Sequence, residues 1–282
     1  MGDEMDRVME SREDAASRDE PVEESSNYAL FWMTAQASDG VWGYTPRGPV
    51  KYEATAGNAF RAILKAGQFY LTARGRDGIW TWDGQTCPHE IESTAGMGFQ
   101  GLIKIDDQPG GLIYLTAQVN GGIWTFDPKT GAKPTQIEST KGLGFIGLCK
   151  VGELIYLTTQ GDDGLWTFDP ATGAEPVQIP STDRCGFREI AQIDNILYLT
   201  THGSDGIWTF DLETKARPTQ LRSTDDLGFQ GIARVGPMLY LTTQGSDGIW
   251  MFDPVSRACP MRVSGTQGLG FIGITGPVVS VG

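Results

Sequence analysis

Short runs of alternating apolar and polar residues fill most of this chain, and turn residues separate them. Residues 154–159 and 165–168 are rich in β-branched and aromatic side chains, which is typical of strands. The Asp-Gly pair at 163–164 lies between them and indicates a hairpin. Residues 177–179 and 187–192 have the same character, so this stretch predicts a unit of four short antiparallel strands.

The same unit recurs along the chain. Its most constant part reads Gly-Ile-Trp-Thr-Phe-Asp and occurs, with at most one substitution, at residues 78–83, 122–127, 164–169, 206–211 and 248–253. A sixth, diverged copy begins at Gly40. The last four tryptophans of the series are 42 residues apart. A constant period of this length is typical of solenoids, propellers and arrays, and four short strands per period without helical periodicity favour propeller blades.

The predicted fold is therefore all-β: a six-bladed β-propeller of four-stranded blades of about 42 residues, formed by residues 28–282. The segment 28–34 matches the strand at 154–159, and the segment 270–274 matches the strand at 187–192, which precedes the next copy of that strand. We expect the first blade to take its missing strand from the C-terminal segment. A ring closed by pairing of its N- and C-terminal strands leaves no open sheet edge.

Charge is unevenly distributed. The formal net charge is −13, and residues 1–27 hold ten acidic and three basic residues with almost no large apolar ones. Such a segment is predicted to be a disordered acidic tail. It would serve as a solvating segment, a docking or regulatory tail, or a propeptide. An acidic chain is also a poor candidate for binding nucleic acid or anionic membranes.

The sequence contains no apolar signal region and no run of 18 apolar residues, so neither a secretory signal nor membrane insertion is predicted. Its four cysteines form no Cys-x-x-Cys pair, and disulfides are not expected, which fits a reducing compartment. We expect a cytoplasmic location, with release by a non-classical route left open.

Aligning the six units shows which positions repeat. One column is aromatic and is composed of Trp42, Trp80, Trp124, Trp166, Trp208 and Trp250. These rings either pack the sheets together, as buried aromatics do, or offer platforms on which a flat sugar face stacks.

Two polar columns flank the predicted hairpin turn. The first, at the end of the Tyr-Leu-Thr strand, is Gln36, Arg74, Gln118, Gln160, His202 and Gln244. The second, three residues later, is Asp39, Asp77, Asp163, Asp205 and Asp247. Amides and carboxylates at one rim can bind sugar hydroxyls, or they can stabilise the turns themselves.

Other positions suggest structural roles or a different site. The aspartates that follow the Trp-Thr-Phe strand and the Ser-Thr pairs of the crossovers are predicted to be mainly structural. The strand that begins with Gly-Phe carries four cations at one position, at Lys65, Lys104, Lys150 and Arg234. If this strand lines the axial channel, these cations would bind an anion; otherwise they are solvated strand ends.

No P-loop, Gly-x-Ser-x-Gly elbow or histidine-rich metal site is present, so no catalytic residue, metal or cofactor is predicted.

The stretch Val41-Trp42-Gly43-Tyr44 is similar to the tectonin repeat of propeller lectins, and the blade pattern resembles repeats of bacterial and fungal β-propellers. The tectonin resemblance implies sugar recognition by pockets between or on top of the blades. The other five units read Trp-Thr-Phe, Trp-Met-Phe or Trp-Thr-Trp and depart from that motif.

Three functions follow. The leading hypothesis is a non-catalytic, multivalent carbohydrate-binding protein whose partners are glycans or glycoconjugates, with the tryptophan, Gln and Asp columns as ligand-binding residues. The second is a protein-interaction scaffold with a protein partner. The third is an enzyme with one site at the channel mouth. The irregular parts of the repeat would host that site: the first blade, the insertion at residues 106–110, and residues 184–189, where Arg188 and Glu189 depart from the consensus.

Overall fold

The protein is a β-propeller of six four-stranded antiparallel blades, as the sequence predicts. The computed structural model describes residues 28–37, 39–75, 77–105, 111–117, 121–159, 161–201, 203–243 and 245–276. Within these ranges the helical content is confined to short 3-10 turns in the crossovers between blades. The predicted acidic tail, residues 1–27, lies outside the described residues and stays a prediction.

Each blade has the same order of strands from the axis outward. The innermost strands of blades 1 to 6 are β24 (Phe271–Thr275), β4 (Phe60–Ala66), β8 (Phe99–Lys104), β12 (Phe145–Val151), β16 (Phe187–Ile193) and β20 (Phe229–Val235). The second strands are β1 (Phe31–Ala35), β5 (Gln68–Ala73), β9 (Ile113–Ala117), β13 (Leu154–Thr159), β17 (Ile196–Thr201) and β21 (Met238–Thr243).

The third and outermost strands complete the sheets. The third strands carry the repeated Trp motif and are β2 (Val41–Thr45), β6 (Ile79–Trp82), β10 (Ile123–Phe126), β14 (Leu165–Phe168), β18 (Ile207–Asp211) and β22 (Ile249–Phe252). The outermost strands are β3 (Gly48–Tyr52), β7 (His89–Glu90), β11 (Thr135–Gln136), β15 (Val177–Gln178), β19 (Thr219–Gln220) and β23 (Met261–Arg262). Most outermost strands are two residues long, which limits the sheet edge exposed on the rim.

Blade 1 closes the ring in the predicted way. Its innermost strand β24 comes from the C-terminal part of the chain and pairs antiparallel with β1, with Trp32 opposite Thr275 and Met33 opposite Ile274. The innermost strands contact one another in the order β4, β8, β12, β16, β20, β24 and back to β4. The ring is therefore continuous, and blades 2 and 5 stand on opposite sides of the axis.

The hydrophobic core lies between the blades. Six clusters of buried side chains are present, and each draws on two neighbouring blades. The phenylalanine that begins each innermost strand is almost fully buried, as Phe145 and Phe187 illustrate. Burial of aromatic rings of this size supplies much of the energy that holds the sheets face to face.

A buried threonine fixes each crossover to the third strand of its own blade. In blade 4, Thr182 accepts a hydrogen bond from the amide of Leu165 at 2.7 Å and donates to the carbonyl of Ile179 at 2.8 Å. The preceding Gly164 has a φ of +69° and lies against Thr182, so a side chain would clash there. The Ser-Thr pairs therefore have the structural role that the sequence suggested.

The serine of the pair links neighbouring blades on the outer side. Ser93, Ser139 and Ser181 each donate a hydrogen bond to the outer turn of the next blade, at 2.7, 2.7 and 2.8 Å. The aspartates after the Trp motif accept bonds from the amides two residues on, as Asp169 does from Ala171. This is the turn role predicted for that column.

Six further threonines, one from each second strand, bind neighbouring blades together near the axis. This threonine ring consists of Thr34, Thr72, Thr116, Thr158, Thr200 and Thr242, all fully buried. Each hydroxyl accepts a bond from an amide of its own innermost strand and donates to a carbonyl of the next blade's innermost strand. Thr116, for example, accepts from Gly101 at 2.9 Å and donates to Ile146 at 2.7 Å.

The amide donor to the threonine ring is glycine in four blades. A methyl group built on Gly101, Gly147 or Gly231 would lie 2.5–2.8 Å from a carbonyl oxygen of the next blade, which is closer than real contacts allow. Blades 2 and 5 carry Ala62 and Glu189 there instead. Their bonds to the threonine ring are 3.0–3.2 Å long, against 2.6–2.9 Å in the other four blades.

Replacing Thr116 by valine keeps the side-chain shape and removes both hydrogen bonds. The amide of Gly101 and the carbonyl of Ile146 would be buried without partners, so we expect the free energy of unfolding to fall by about 1–3 kcal/mol. Chemical denaturation followed by tryptophan fluorescence measures the change. Thr125→Val, which removes an exposed hydroxyl from the next strand of the blade, is the control. Equal stability of the two variants would contradict the role assigned to the threonine ring.

Candidate functional site

The innermost strands of all six blades surround a cavity of about 420 Å³ on the propeller axis. Small-molecule sites usually occupy about 300–1,000 Å³ and carry few, well-placed polar groups on apolar walls. This cavity has both properties. Polar groups line it where the innermost strands begin and again at the far end, at Gln192 and Arg234, and aliphatic side chains line the part between them.

The polar groups occupy the position that follows the buried phenylalanine of each innermost strand. In order around the axis, this axial ring consists of Arg61, Gln100, Ile146, Arg188, Gln230 and Ile272. The order Arg, Gln, Ile thus occurs twice, once in each half of the propeller. Because blades three apart face each other, arginine faces arginine, glutamine faces glutamine and isoleucine faces isoleucine across the channel.

The two arginines create a positive region inside an acidic protein. Arg61 donates from Nη2 to Oε1 of Gln100 at 2.8 Å, which holds its guanidinium against the channel wall. Burial lowers the pKa of Arg61, the positive charge of Arg188 lowers it further, and the negative charge of Glu189 opposes both. These three charges therefore interact across the channel.

Glu189 stands next to Arg188 on β16 and also lines the cavity. Residues of a regular strand alternate between faces, but a bulge interrupts the register of β16 between Phe187 and Ile190, and both charged residues reach the axis. Burial raises the pKa of the Glu189 carboxyl from an ordinary 4.5 to about 7, although Arg188 and Arg61 act in the opposite direction. No ion pair within 4.0 Å joins Glu189 to either arginine, all three being described residues.

Beyond the charged groups, the channel is aliphatic. This aliphatic collar consists of Ile63, Leu102, Leu148, Ile190, Ile232 and Ile274. At the far end, Gln192 and Arg234 donate to carbonyls of their own hairpin turns at 2.8 and 2.9 Å. Of the predicted cationic column, Arg234 lines the cavity, whereas Lys65 lies over the ring of Phe69 at 3.9 Å. The cations that meet on the axis are instead the two arginines of the axial ring.

The repeated tryptophans pack inside their own blades. Each indole meets the buried phenylalanine of its innermost strand edge to face, at centroid distances of 5.9–6.4 Å. Their exposure is intermediate. In four blades the indole nitrogen is buried, and in blades 2 and 3 it donates to the backbone of its hairpin, for Trp80 to Asp77 at 2.8 Å. The column supports the sheets and leaves only part of each ring accessible.

The aspartate column takes part in contacts within its own blades. Asp39 forms an ion pair with Lys51 at 2.7 Å, and Asp247 approaches Arg262 at 3.5 Å. The backbone carbonyls of Asp163 and Asp205 accept bonds from outer-strand glutamines at 2.8 Å. Asp163 and Asp205 are themselves exposed at the rim.

The glutamine column is described in part, because Gln118, Gln160, His202 and Gln244 lie outside the described residues. Gln36 donates to the carbonyl of Gly245 in the neighbouring blade at 3.2 Å. Arg74 is exposed, and its charge lowers the pKa of Arg61. Both residues follow second strands whose ends lie beside the starts of the innermost strands, so they stand at the mouth of the axial cavity that holds the charged groups.

The tryptophan and aspartate columns meet at one small pocket. In blade 4, Trp166 and Asp163 line a cavity of about 80 Å³ together with Phe145 and Thr159. It is about one fifth of the axial cavity in volume. The structure thus brings members of two predicted columns together, at a scale that fits part of a sugar ring.

The described ranges contain neither a candidate metal site nor a candidate membrane span. No group of three histidine, cysteine or acidic residues is placed to hold a metal ion, and no helix there has the length and apolar character needed to cross a membrane. The four cysteines are free thiols.

Sequence reasoning singled out Arg188 and Glu189 but missed Arg61, Gln100 and Gln230. One sequence feature could have revealed them. The residue after the phenylalanine that begins each innermost strand is, in chain order, Arg, Gln, Ile, Arg, Gln and Ile.

Comparison with known proteins identifies the class of fold. No known protein family matches the sequence, and no curated protein is significantly similar to it. Solved structures do match: the architecture is that of known β-propellers.

One similar structure is a chain of a nidogen/laminin complex, with 12% identity, a TM-score of 0.63, and coverage of 87% of this chain and 97% of that one. Another is the extracellular domain of a protein described as a one-component system of B. thetaiotaomicron, with 13% identity and a TM-score of 0.53. That match covers 73% of this chain and 28% of the other. At these identities the likeness shows the fold alone, and similarity to tectonin repeats stays a prediction.

Replacing Glu189 by glutamine tests the environment of the cavity. Because folding raises the pKa of this carboxyl, ionisation destabilises the folded state, and the penalty grows as the pH rises from about 4.5 to about 7. We expect Glu189→Gln to be more stable than the wild type at pH 8, by on the order of 3 kcal/mol, and the difference to shrink at pH 5. Denaturant titrations at both pH values measure this. Glu153→Gln, on an exposed turn, should show no such pH dependence; a flat profile for Glu189→Gln would contradict the assignment.

Proposed function

We propose that this protein is a non-catalytic binding propeller that holds a small anionic ligand in its axial cavity. The observation that carries the proposal is the placement of Arg61 and Arg188 on opposite walls of one cavity, with Gln100 and Gln230 between them. Guanidinium groups bind carboxylates and phosphates through paired charge-assisted hydrogen bonds, and amides add both donors and acceptors.

The departure from the repeat also supports a function on the axis. Four blades use glycine where the innermost strands approach most closely, and blades 2 and 5 do not. Glu189 lengthens the hydrogen bonds of its seam and places a charge in a region where burial disfavours it. Residues that break a local rule at a cost in stability often mark a functional site.

Binding is favoured over catalysis. Burial raises the pKa of the Cys149 thiol, which lines the cavity, to about 12, so this group stays protonated and is a poor nucleophile. Glu189 is the one carboxyl among the described lining residues, and no histidine accompanies it there. A single carboxyl beside two arginines fits recognition of charge better than proton transfer with nucleophilic attack.

The test is a thermal-shift screen with short aliphatic and aromatic monocarboxylates, followed by calorimetric titration. We expect the wild type to bind and the double variant Arg61→Gln, Arg188→Gln to lose roughly 100-fold or more in affinity, because two charge-assisted contacts are removed. Glutamine already occupies the axial ring in blades 3 and 6, so the variant should fold. Arg222→Gln, an exposed residue outside the cavity, is matched in charge and should bind as the wild type does. Equal binding by all three proteins would overturn the proposal.

Carbohydrate recognition at the blades is the second candidate. The observation that favours it is the small pocket of blade 4, where a partly accessible Trp166 lies beside the exposed Asp163. An indole face can stack on a sugar ring while a neighbouring carboxylate accepts hydrogen bonds from the sugar hydroxyls. Several weak sites of this kind on one propeller would bind a glycan surface through avidity. The same rim surface of the blades could instead bind a protein partner.

A glycan array tests this second candidate. If blade sites bind sugars, the wild type should give signals that free sugar competes away, and Asp163→Asn with Trp166→Phe should weaken them by several-fold. Glu175→Gln, on an exposed outer turn of the same blade, is the control. A blank array with a folded protein would remove the carbohydrate hypothesis and leave the axial site unaffected.

A further inference from the structure

The axial ring is nearly two-fold symmetric, and one residue breaks the symmetry. Arginine, glutamine and isoleucine repeat in both halves, but the neighbour of Arg61 is Ala62, whereas the neighbour of Arg188 is Glu189. A symmetric pair of arginines would hold an anion in either orientation. One wall of the cavity therefore carries only the positive charge of Arg61, and the facing wall carries both the positive charge of Arg188 and the negative charge of Glu189.

Two opposite charges lie on consecutive residues of β16. Arg188 and Glu189 both line the cavity, beside the bulge of this strand. No nitrogen of Arg188 lies within 4.0 Å of a carboxylate oxygen of Glu189, so the two groups leave room for a ligand that presents a carboxylate to the arginine and an ammonium group to the glutamate. Glu189 makes no ion pair with a described residue, so its carboxylate is free to accept bonds from an ammonium group.

The wall beyond the charges is apolar. Five members of the aliphatic collar keep only 6–7% of their surface accessible, and all six line the cavity. A ligand with its charged groups at the axial ring would place its remaining atoms against this collar. The collar therefore favours an apolar side chain over a polar or charged one.

Resting on the proposed function of the axial cavity, we propose that its ligand is a free α-amino acid with an apolar side chain. Arg61 and Arg188 bind its carboxylate, Glu189 binds its ammonium group, and the aliphatic collar receives its side chain. Gln100 holds Arg61 in place, and Gln230 offers an amide on the facing wall.

Two sets of three matched compounds test this. The first is L-leucine, 4-methylpentanoate, which lacks the amine, and 3-methylbutylamine, which lacks the carboxylate. The second is L-phenylalanine, 3-phenylpropanoate and 2-phenylethylamine. Calorimetric titration of the full chain at pH 8 should show an amino acid of at least one set binding roughly tenfold or more tightly than both of its analogues.

A variant separates recognition from general effects on the fold. Glu189→Ala places in blade 5 the residue that blade 2 already carries, so it should fold. We expect it to lose the preference for the amino acid over the amine-free acid while still binding the acid. Glu153→Gln should retain the wild-type preference.

The outcomes distinguish the two proposals. If the amine-free acids bind the wild type as tightly as the amino acids, or if Glu189→Ala keeps the preference, the amino-acid assignment is overturned and the anion site stands. If no carboxylate binds at all, the proposed function fails together with it.

Discussion

Near the axis, one threonine hydroxyl joins the innermost strand of each blade to that of the next, and the geometry of the channel depends on this contact. The threonine accepts a hydrogen bond from one innermost strand and donates one to the next, so it sets how far apart adjacent strands stand. The carbonyl that it binds belongs to a residue of the axial ring. The same contact therefore closes the propeller and positions the backbone from which the side chains of the channel project.

A close approach between strands requires glycine, and this requirement explains why the channel can hold few functional groups. Where a side chain stands next to the axial ring, at Ala62 and Glu189, the hydrogen bonds of the threonine ring are longer than in the other blades. The protein carries one charged residue at such a position. The cost falls on packing between blades, and the gain is a carboxylate in the cavity beside the two arginines of the axial ring.

The architecture could be predicted from the sequence because every blade repeats the same local rules. The Asp-Gly hairpins, the Trp motif and the match between the terminal segments led to six four-stranded blades and to the closure through β24. The leading site prediction followed the columns that repeat, and several of those residues, such as Trp166 and Asp39, are engaged in contacts within their own blade. The axial residues were harder to recognise, because Arg61 and Arg188 are far apart in sequence and become neighbours of one cavity only when the ring closes.

The two seams with lengthened hydrogen bonds lie opposite each other, between blades 2 and 3 and between blades 5 and 6. They divide the propeller into two halves of three blades, each with its own Arg, Gln and Ile. If the ring widens to admit or release a molecule, we expect these two seams to act as the hinge lines, since the other four are more tightly bonded. The propeller would then behave mechanically as a pair of half-rings that move about the very residues that face its axis.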